Sequence, residues 1–156
     1  MTELDYSAYF FDLGGTLLAI QHDEIAQTNN GRVMLLPGVR DVLNPLRGKL
    51  VFVITNQAGV ALGYLTGSQV RGFIEQLDAD IGHIMTDYRI CMHHPAANCL
   101  CRKPRPGMIL GLAKTYDIDL STAVMVGDTA ADQSCAQSAG IGTFHWSQSF
   151  FGGSWT

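Results

Sequence analysis

The chain has 156 residues, enough for one compact domain and too few for two of ordinary size. Hydrophobic residues make up 47% and charged residues 15%, a balance that suits a packed interior and excludes a largely disordered chain. The formal net charge of −4 argues against nucleic-acid and membrane-surface binding, which need a basic footprint, so an anionic ligand must be held locally.

In chain order, residues 8–12 (AYFFD) form a short apolar run that reads as a buried strand ending in a carboxylate. An amphipathic stretch near 38–47 precedes a second strand over 50–55 (LVFVIT), and the next helix, near 66–80, can be capped by Thr66 or Ser68. Residues 88–92 make a weaker strand candidate. Pro106 suits the opening turn of a helix over 106–116, residues 123–127 (AVMVG) read as another strand, and a helix over 129–139 stops at Gly140. Residues 142–146 form a last weak strand.

Strand and helix alternate, which predicts an α/β fold. The expected form is a Rossmann-like three-layer parallel sheet of about five strands with helices on both faces, and a ligand crevice at the strands' carboxyl ends. Asp12, Thr55 and Asp128 all fall at such ends. The expected organisation is a single domain over 1–156. No apolar window reaches the roughly 18 residues a membrane span needs, and the start lacks a secretory pattern, so the expected location is cytoplasmic.

Four short constellations carry chemistry. Asp12 leaves its strand into Gly14-Gly15, whose permissive backbone allows a tight, ligand-hugging turn. Thr55-Asn56-Gln57 offer a hydroxyl, carboxamides and backbone N–H groups at the next strand end. Arg102-Lys103-Pro104-Arg105 concentrates three cations in a chain that has ten, between stiffening prolines, and both cation types bind phosphate oxygens. Gly127-Asp128-Thr129-Ala130-Ala131-Asp132 sets two carboxylates one helical turn apart. Taken singly, each also fits an ordinary turn, a solvated charge run or a first-turn acid.

Three of the four cysteines crowd into eleven residues, Cys91-Met92-His93-His94-Pro95-Ala96-Ala97-Asn98-Cys99-Leu100-Cys101. Three thiolates and an imidazole can enclose one tetrahedral Zn²⁺ with no open position, which makes the ion structural rather than catalytic; redox-active thiols are the alternative. The expected ligands are Cys91, His93, Cys99 and Cys101, in a loop at about 91–105. His94 would stand beside them, facing substrate, and Cys135 would be simply buried.

In order and position the four constellations resemble the motifs of the haloacid dehalogenase superfamily of phosphohydrolases. The resemblance spans nearly the whole chain. It implies that Asp12 attacks phosphorus, that Thr55 and Lys103 hold the transferring group, and that Mg²⁺ is bound by Asp12, the Gly14 carbonyl and Asp128, with Asp132 in or beside that shell. The cysteine cluster running into Arg102-Lys103-Pro104, with Asn56-Gln57-Ala58-Gly59-Val60 and Gly63-Tyr64, is similar to the D-glycero-D-manno-heptose-1,7-bisphosphate phosphatase branch, related to histidinol-phosphate phosphatases. That branch implies no separate cap domain, and makes Thr55, Asn56, Gln57, Arg102 and Lys103 the substrate contacts. The expected partner is a small phosphorylated metabolite, and the expected state is a monomer.

One position departs from the pattern. Active phosphatases of the superfamily carry a second Asp two residues after the nucleophile, and here that position is Gly14. General acid–base help worth about 10²–10⁴ in rate, or roughly 3–5 kcal/mol of barrier, is therefore missing. The expectation is a slow phosphatase, restored by Gly14→Asp or assisted by a residue such as His94. The alternatives are a phosphotransferase and a catalytically silent phospho-ligand binder.

Overall fold

The computed structural model of the protein describes residues 5–152. Its centre is β1 (Tyr9–Phe11), a strand buried on both faces. β4 (Val51–Asn56) and β6 (Val124–Gly127) pair with it on either side, each in parallel register, so that Phe11 lies opposite both Val53 and Val126. β5 (Asp87–Cys91) and β7 (Thr143–Trp146) complete a five-stranded parallel sheet of order β5-β4-β1-β6-β7. The chain builds one half, then crosses beside β1 to build the other. The crevice at that reversal, beyond the strand carboxyl ends, is where such sheets bind ligands.

Alternate residues of the central strands point to opposite faces, which explains why their sequences are continuously apolar. Tyr9, Phe11, Val53 and Val126 join one core with α1 (Val39–Leu43) and α2 (Gly67–Ile81). Phe10, Phe52, Ile54 and Met125 join the other with α3 (Gly107–Tyr116) and α4 (Ala130–Ala139). Burial of each such side chain is worth about 1.5–3 kcal/mol. Two buried layers thus clamp β1 and fix the direction in which Asp12 leaves it. The short α5 (Ser147–Phe150) returns Phe150 and Phe151 onto Phe11, with ring centroids 5.8 and 6.2 Å away.

The helix ends carry the expected signals. Thr66, rather than Ser68, caps α2: its hydroxyl accepts from the Gln69 N–H at 3.1 Å while the Gln69 side chain accepts from the Thr66 N–H at 2.8 Å. Gly140 closes α4 in the left-handed conformation. The amphipathic stretch near 38–47 is shorter than expected as an α-helix, because Pro45 turns its end into the 3₁₀ turn Asn44–Leu46.

A second departure bears on function. The segment after the nucleophile loop is not irregular: β2 (Ile20–Gln21) and β3 (Glu24–Ile25) form a small antiparallel hairpin. Its two-residue tip, His22-Asp23, has both φ angles positive, at 52° and 63°, as a type I′ turn requires. Strands of two residues are too short to show a hydrophobic period, so the sequence pattern alone does not reveal them. Among the described residues, no helix is long and apolar enough to cross a membrane.

Candidate active site

The nucleophile loop is shaped by its second glycine. Gly15 has φ +81°, and a Cβ there would lie 2.2 Å from Asp128 Oδ2, so no other residue fits without displacing that carboxylate. The loop wraps so tightly that Thr16 Oγ1 donates to Asp128 Oδ1 at 3.2 Å. Carboxylate oxygens of Asp12, Asp128 and Asp132 consequently come within 4.8 Å of one another. They line a cavity of about 220 Å³ together with Gly14, Thr55 and Lys103.

Lys103 holds this cluster together. Its buried Nζ donates to Asp12 Oδ1 at 2.6 Å, to Asp132 Oδ1 at 2.8 Å and to the Ile54 carbonyl at 3.2 Å. Burial works against the Lys103 charge, yet the two carboxylates outweigh it and hold its proton more tightly than usual. Burial pushes the Asp12 carboxyl up to about 7, and neighbouring Asp132 and Asp128 add to the push against the pull of Lys103. One ammonium faces three carboxylates, an excess of negative charge made of hard oxygen donors. That set fits a divalent cation such as Mg²⁺.

Asp132 is committed elsewhere. Its Oδ2 accepts from the Asp128 and Thr129 N–H groups at 3.1 and 3.2 Å and from the Thr129 hydroxyl at 3.0 Å, closing a capping box at the start of α4. With Oδ1 on Lys103, both of its oxygens are occupied. Asn56 is similarly engaged. Its Nδ2 donates to the Lys103 carbonyl at 3.1 Å and its Oδ1 accepts from the Lys103 N–H at 2.9 Å, a two-point clip on the lysine's own peptide groups. The sequence marks both residues but not their hold on Lys103, which depends on contacts 29 and 47 positions away.

Thr55 Oγ1 is buried and accepts from Gln57 Nε2 at 2.9 Å, so the hydroxyl is oriented at the crevice floor. Arg102 lines an adjoining cavity of about 330 Å³ with His22, Asp23, Gln57 and Tyr64. Its Nη1 is buried and has no hydrogen-bond partner among the described residues. His94, by contrast, lines neither cavity; its Nδ1 accepts from the Ala96 N–H at 3.0 Å and caps a local turn. It is not placed to assist at the crevice.

The space a side chain at position 14 would need is occupied. A Cβ on Gly14 would meet Ile20 Cγ2 at 2.9 Å and Ile25 Cδ1 at 3.1 Å, because the β2–β3 hairpin folds over the nucleophile loop. Gly14→Asp therefore requires a shift of Ile20, whose side chain is exposed and has room to move.

The second cluster stands at the end of β5. Cys91 Sγ lies 3.6 Å from Cys99 Sγ and 3.0 Å from Cys101 Sγ, and His93 Nδ1 lies 3.4 and 3.1 Å from Cys91 and Cys101. A Zn²⁺ with bonds near 2.3 Å to sulfur and 2.0 Å to nitrogen sets tetrahedral edges of roughly 3.5–3.8 Å, so the four donors fit once the Cys91–Cys101 pair opens by about 0.8 Å. Arg105 braces the loop from behind, donating to the Cys99 carbonyl and, at 2.8 Å, to Asn98 Oδ1. Arg105 is thus structural. Cys135 is buried at 0% exposure, as expected, and burial pushes its thiol up to about 11. The two sites touch: Asn56 pairs with Cys91 across β4 and β5, and the Gln57 N–H donates to the Cys91 carbonyl at 2.8 Å.

A carboxylate at the end of the central strand, braced by a buried lysine at the sheet's reversal point, is the arrangement that the resemblance to haloacid dehalogenase phosphatases implies. A HAD-hydrolase-like family model matches residues 100–146. The D-glycero-beta-D-manno-heptose-1,7-bisphosphate 7-phosphatase of Rhodopseudomonas palustris is 34% identical over 152 residues, covering 89% of this chain and 82% of that protein. The enzyme of the same name from Escherichia coli K12 is 33% identical over 148 residues, covering 87% and 76%. The crystal structure of the D,D-heptose 1,7-bisphosphate phosphatase of B. bronchiseptica with magnesium and phosphate superposes with a TM-score of 0.78 at 25% identity, covering 87% of this chain and 78% of that one. The chain belongs to the heptose-bisphosphate phosphatase family of the haloacid dehalogenase superfamily.

Proposed function

We propose that this chain hydrolyses a small phosphorylated metabolite of the sugar-bisphosphate kind through an aspartyl-phosphate on Asp12. The observation that carries the reading is the Asp12–Lys103 contact of 2.6 Å at the crevice floor, a buried carboxylate oriented by one cation and faced by two further carboxylates. In this reading the unbridged Asp12 oxygen attacks phosphorus, Thr55 donates to a phosphoryl oxygen, and Lys103 turns one N–H from the Ile54 carbonyl to another. Asp132 and Asn56 position Lys103, one through its ammonium and the other through its peptide groups. Asp12, Asp128 and the Gly14 carbonyl would hold Mg²⁺, which when bound supplies neutralisation of the transferring charge. Cys91, His93, Cys99 and Cys101 would hold a structural Zn²⁺.

The size and lining of the two cavities support that substrate class. The first, about 220 Å³, takes a phosphoryl group and a cation; the rest of the molecule lies in the adjoining 330 Å³. There Arg102 lines the wall, and a guanidinium suits an anionic group because it can donate to two oxygens at once. A second phosphate on the substrate is such a group. The test is phosphate release from sugar bisphosphates and the matching monophosphates, with and without Mg²⁺, using Asp12→Asn as control. The expected result is Mg²⁺-dependent release that favours bisphosphates and vanishes in Asp12→Asn. Equal release by the variant and the native chain would overturn the reading in favour of a phospho-ligand binder, which Gly14 otherwise invites.

A further inference from the structure

Expelling an alkoxide from phosphorus requires a proton, and discharging the aspartyl-phosphate requires that a water lose one. Four carboxylates line the nucleophile cavity: Asp12, Asp23, Asp128 and Asp132. Three are committed. Asp12 is the nucleophile, Asp132 has both oxygens occupied, and Asp128 accepts from Thr16 at the proposed cation position. The Lys103 proton is held between two carboxylates. Asp23 alone has no hydrogen-bond or ion-pair partner among the described residues, and it borders both the nucleophile cavity and the adjoining one.

The geometry points to Asp23, at the tip of the β2–β3 hairpin, as the proton-transferring carboxylate of this site. The same hairpin seats Ile20 and Ile25 over Gly14, and its tip sets Asp23 on the lining shared by the two cavities. The inference rests on the aspartyl-phosphate reading above. In the first half-reaction Asp12 oxygen bonds to phosphorus, the bond from phosphorus to the leaving oxygen breaks, and the Asp23 proton passes to that oxygen to give an alcohol. In the second, a water oxygen bonds to phosphorus and its proton returns to Asp23. The bond from phosphorus to Asp12 breaks, freeing inorganic phosphate and the Asp12 carboxylate.

Asp23→Asn is a clean probe, because Asn tolerates the left-handed backbone of the tip, where φ is 63°. The expected result with a sugar phosphate is a loss of about 10²-fold or more in turnover. With p-nitrophenyl phosphate, whose leaving group needs no proton, the variant releases close to one equivalent of nitrophenol per chain in a burst and then turns over slowly. A merely structural role would produce no such burst. As a second arm, Gly14→Asp with Ile20→Ala in the Asp23→Asn background supplies a carboxylate from the loop and regains at least tenfold. Asp23→Asn within threefold of the native rate on both substrates, with Asp12→Asn inactive, overturns the role of Asp23 and leaves the proposed function standing. Activity unchanged in Asp12→Asn, or no release by the native chain from either substrate, overturns both.

Discussion

Two segments wall the crevice, and they are built on opposite principles. The loop 91–105 is tied down at every turn: four metal-type donors at its start, the Arg105 brace on its carbonyls, and the Asn56 clip on Lys103. The hairpin 20–25 has two paired positions, a partly exposed Ile20, and a tip whose side chains are exposed. The first delivers a cation to within 2.6 Å of the nucleophile, whereas the second is held by fewer contacts.

The sharpest way to break this contrast is to loosen the rigid wall. Cys99→Ser with Cys101→Ser removes two of the four soft donors, and a structural zinc site of this kind contributes on the order of 10 kcal/mol to folding. Elemental analysis should find one zinc per native chain and none in the variant, whose melting point falls and whose phosphate release is lost. Full zinc retention in the double variant would refute the ligand set. A smaller effect is expected for Asn56→Ala, which leaves the Lys103 peptide groups unclipped while the ammonium keeps its partners. A displacement of this kind costs on the order of tenfold to a hundredfold in kcat, with the zinc content unchanged. The hairpin wall should respond least. Gly14→Asp forces Ile20 aside, an overpacking cost of about 1–3 kcal/mol visible as a lowered melting point, and adding Ile20→Ala should recover most of it. Equal melting points for the single and double variants would show that the hairpin does not press on Gly14.

The rigid wall was legible in the sequence because its information is local. Cys91, His93, Cys99 and Cys101 fall within eleven residues, and Arg102-Lys103-Pro104 follows directly. The strand ends bearing Asp12, Thr55 and Asp128 were legible as well, since buried parallel strands are apolar runs and their polar ends stand out. The hairpin was not, because two-residue strands carry no period, and its tip signal, His22-Asp23, is weaker than the Asn-Gly pairs that mark such turns. The tasks of Asp132 and Asn56 escaped for another reason. A capping acid and a strand-end amide look ordinary, and only the fold brings Lys103 to both. Gly14 illustrates the limit from the other side: the sequence exposes the missing carboxylate, while the side chains that fill its space come from a segment with no visible pattern.

The proposed chemistry requires that Asp12 carry the phosphoryl group. The most direct measurement is an acid quench of the native chain during turnover of p-nitrophenyl phosphate with Mg²⁺, followed by reduction of the acyl phosphate with borohydride and peptide mapping by mass spectrometry. The account predicts conversion of Asp12 to homoserine in the peptide that contains it, with accumulation enhanced in Asp23→Asn. Steady turnover with Asp12 unmodified in both proteins would contradict it.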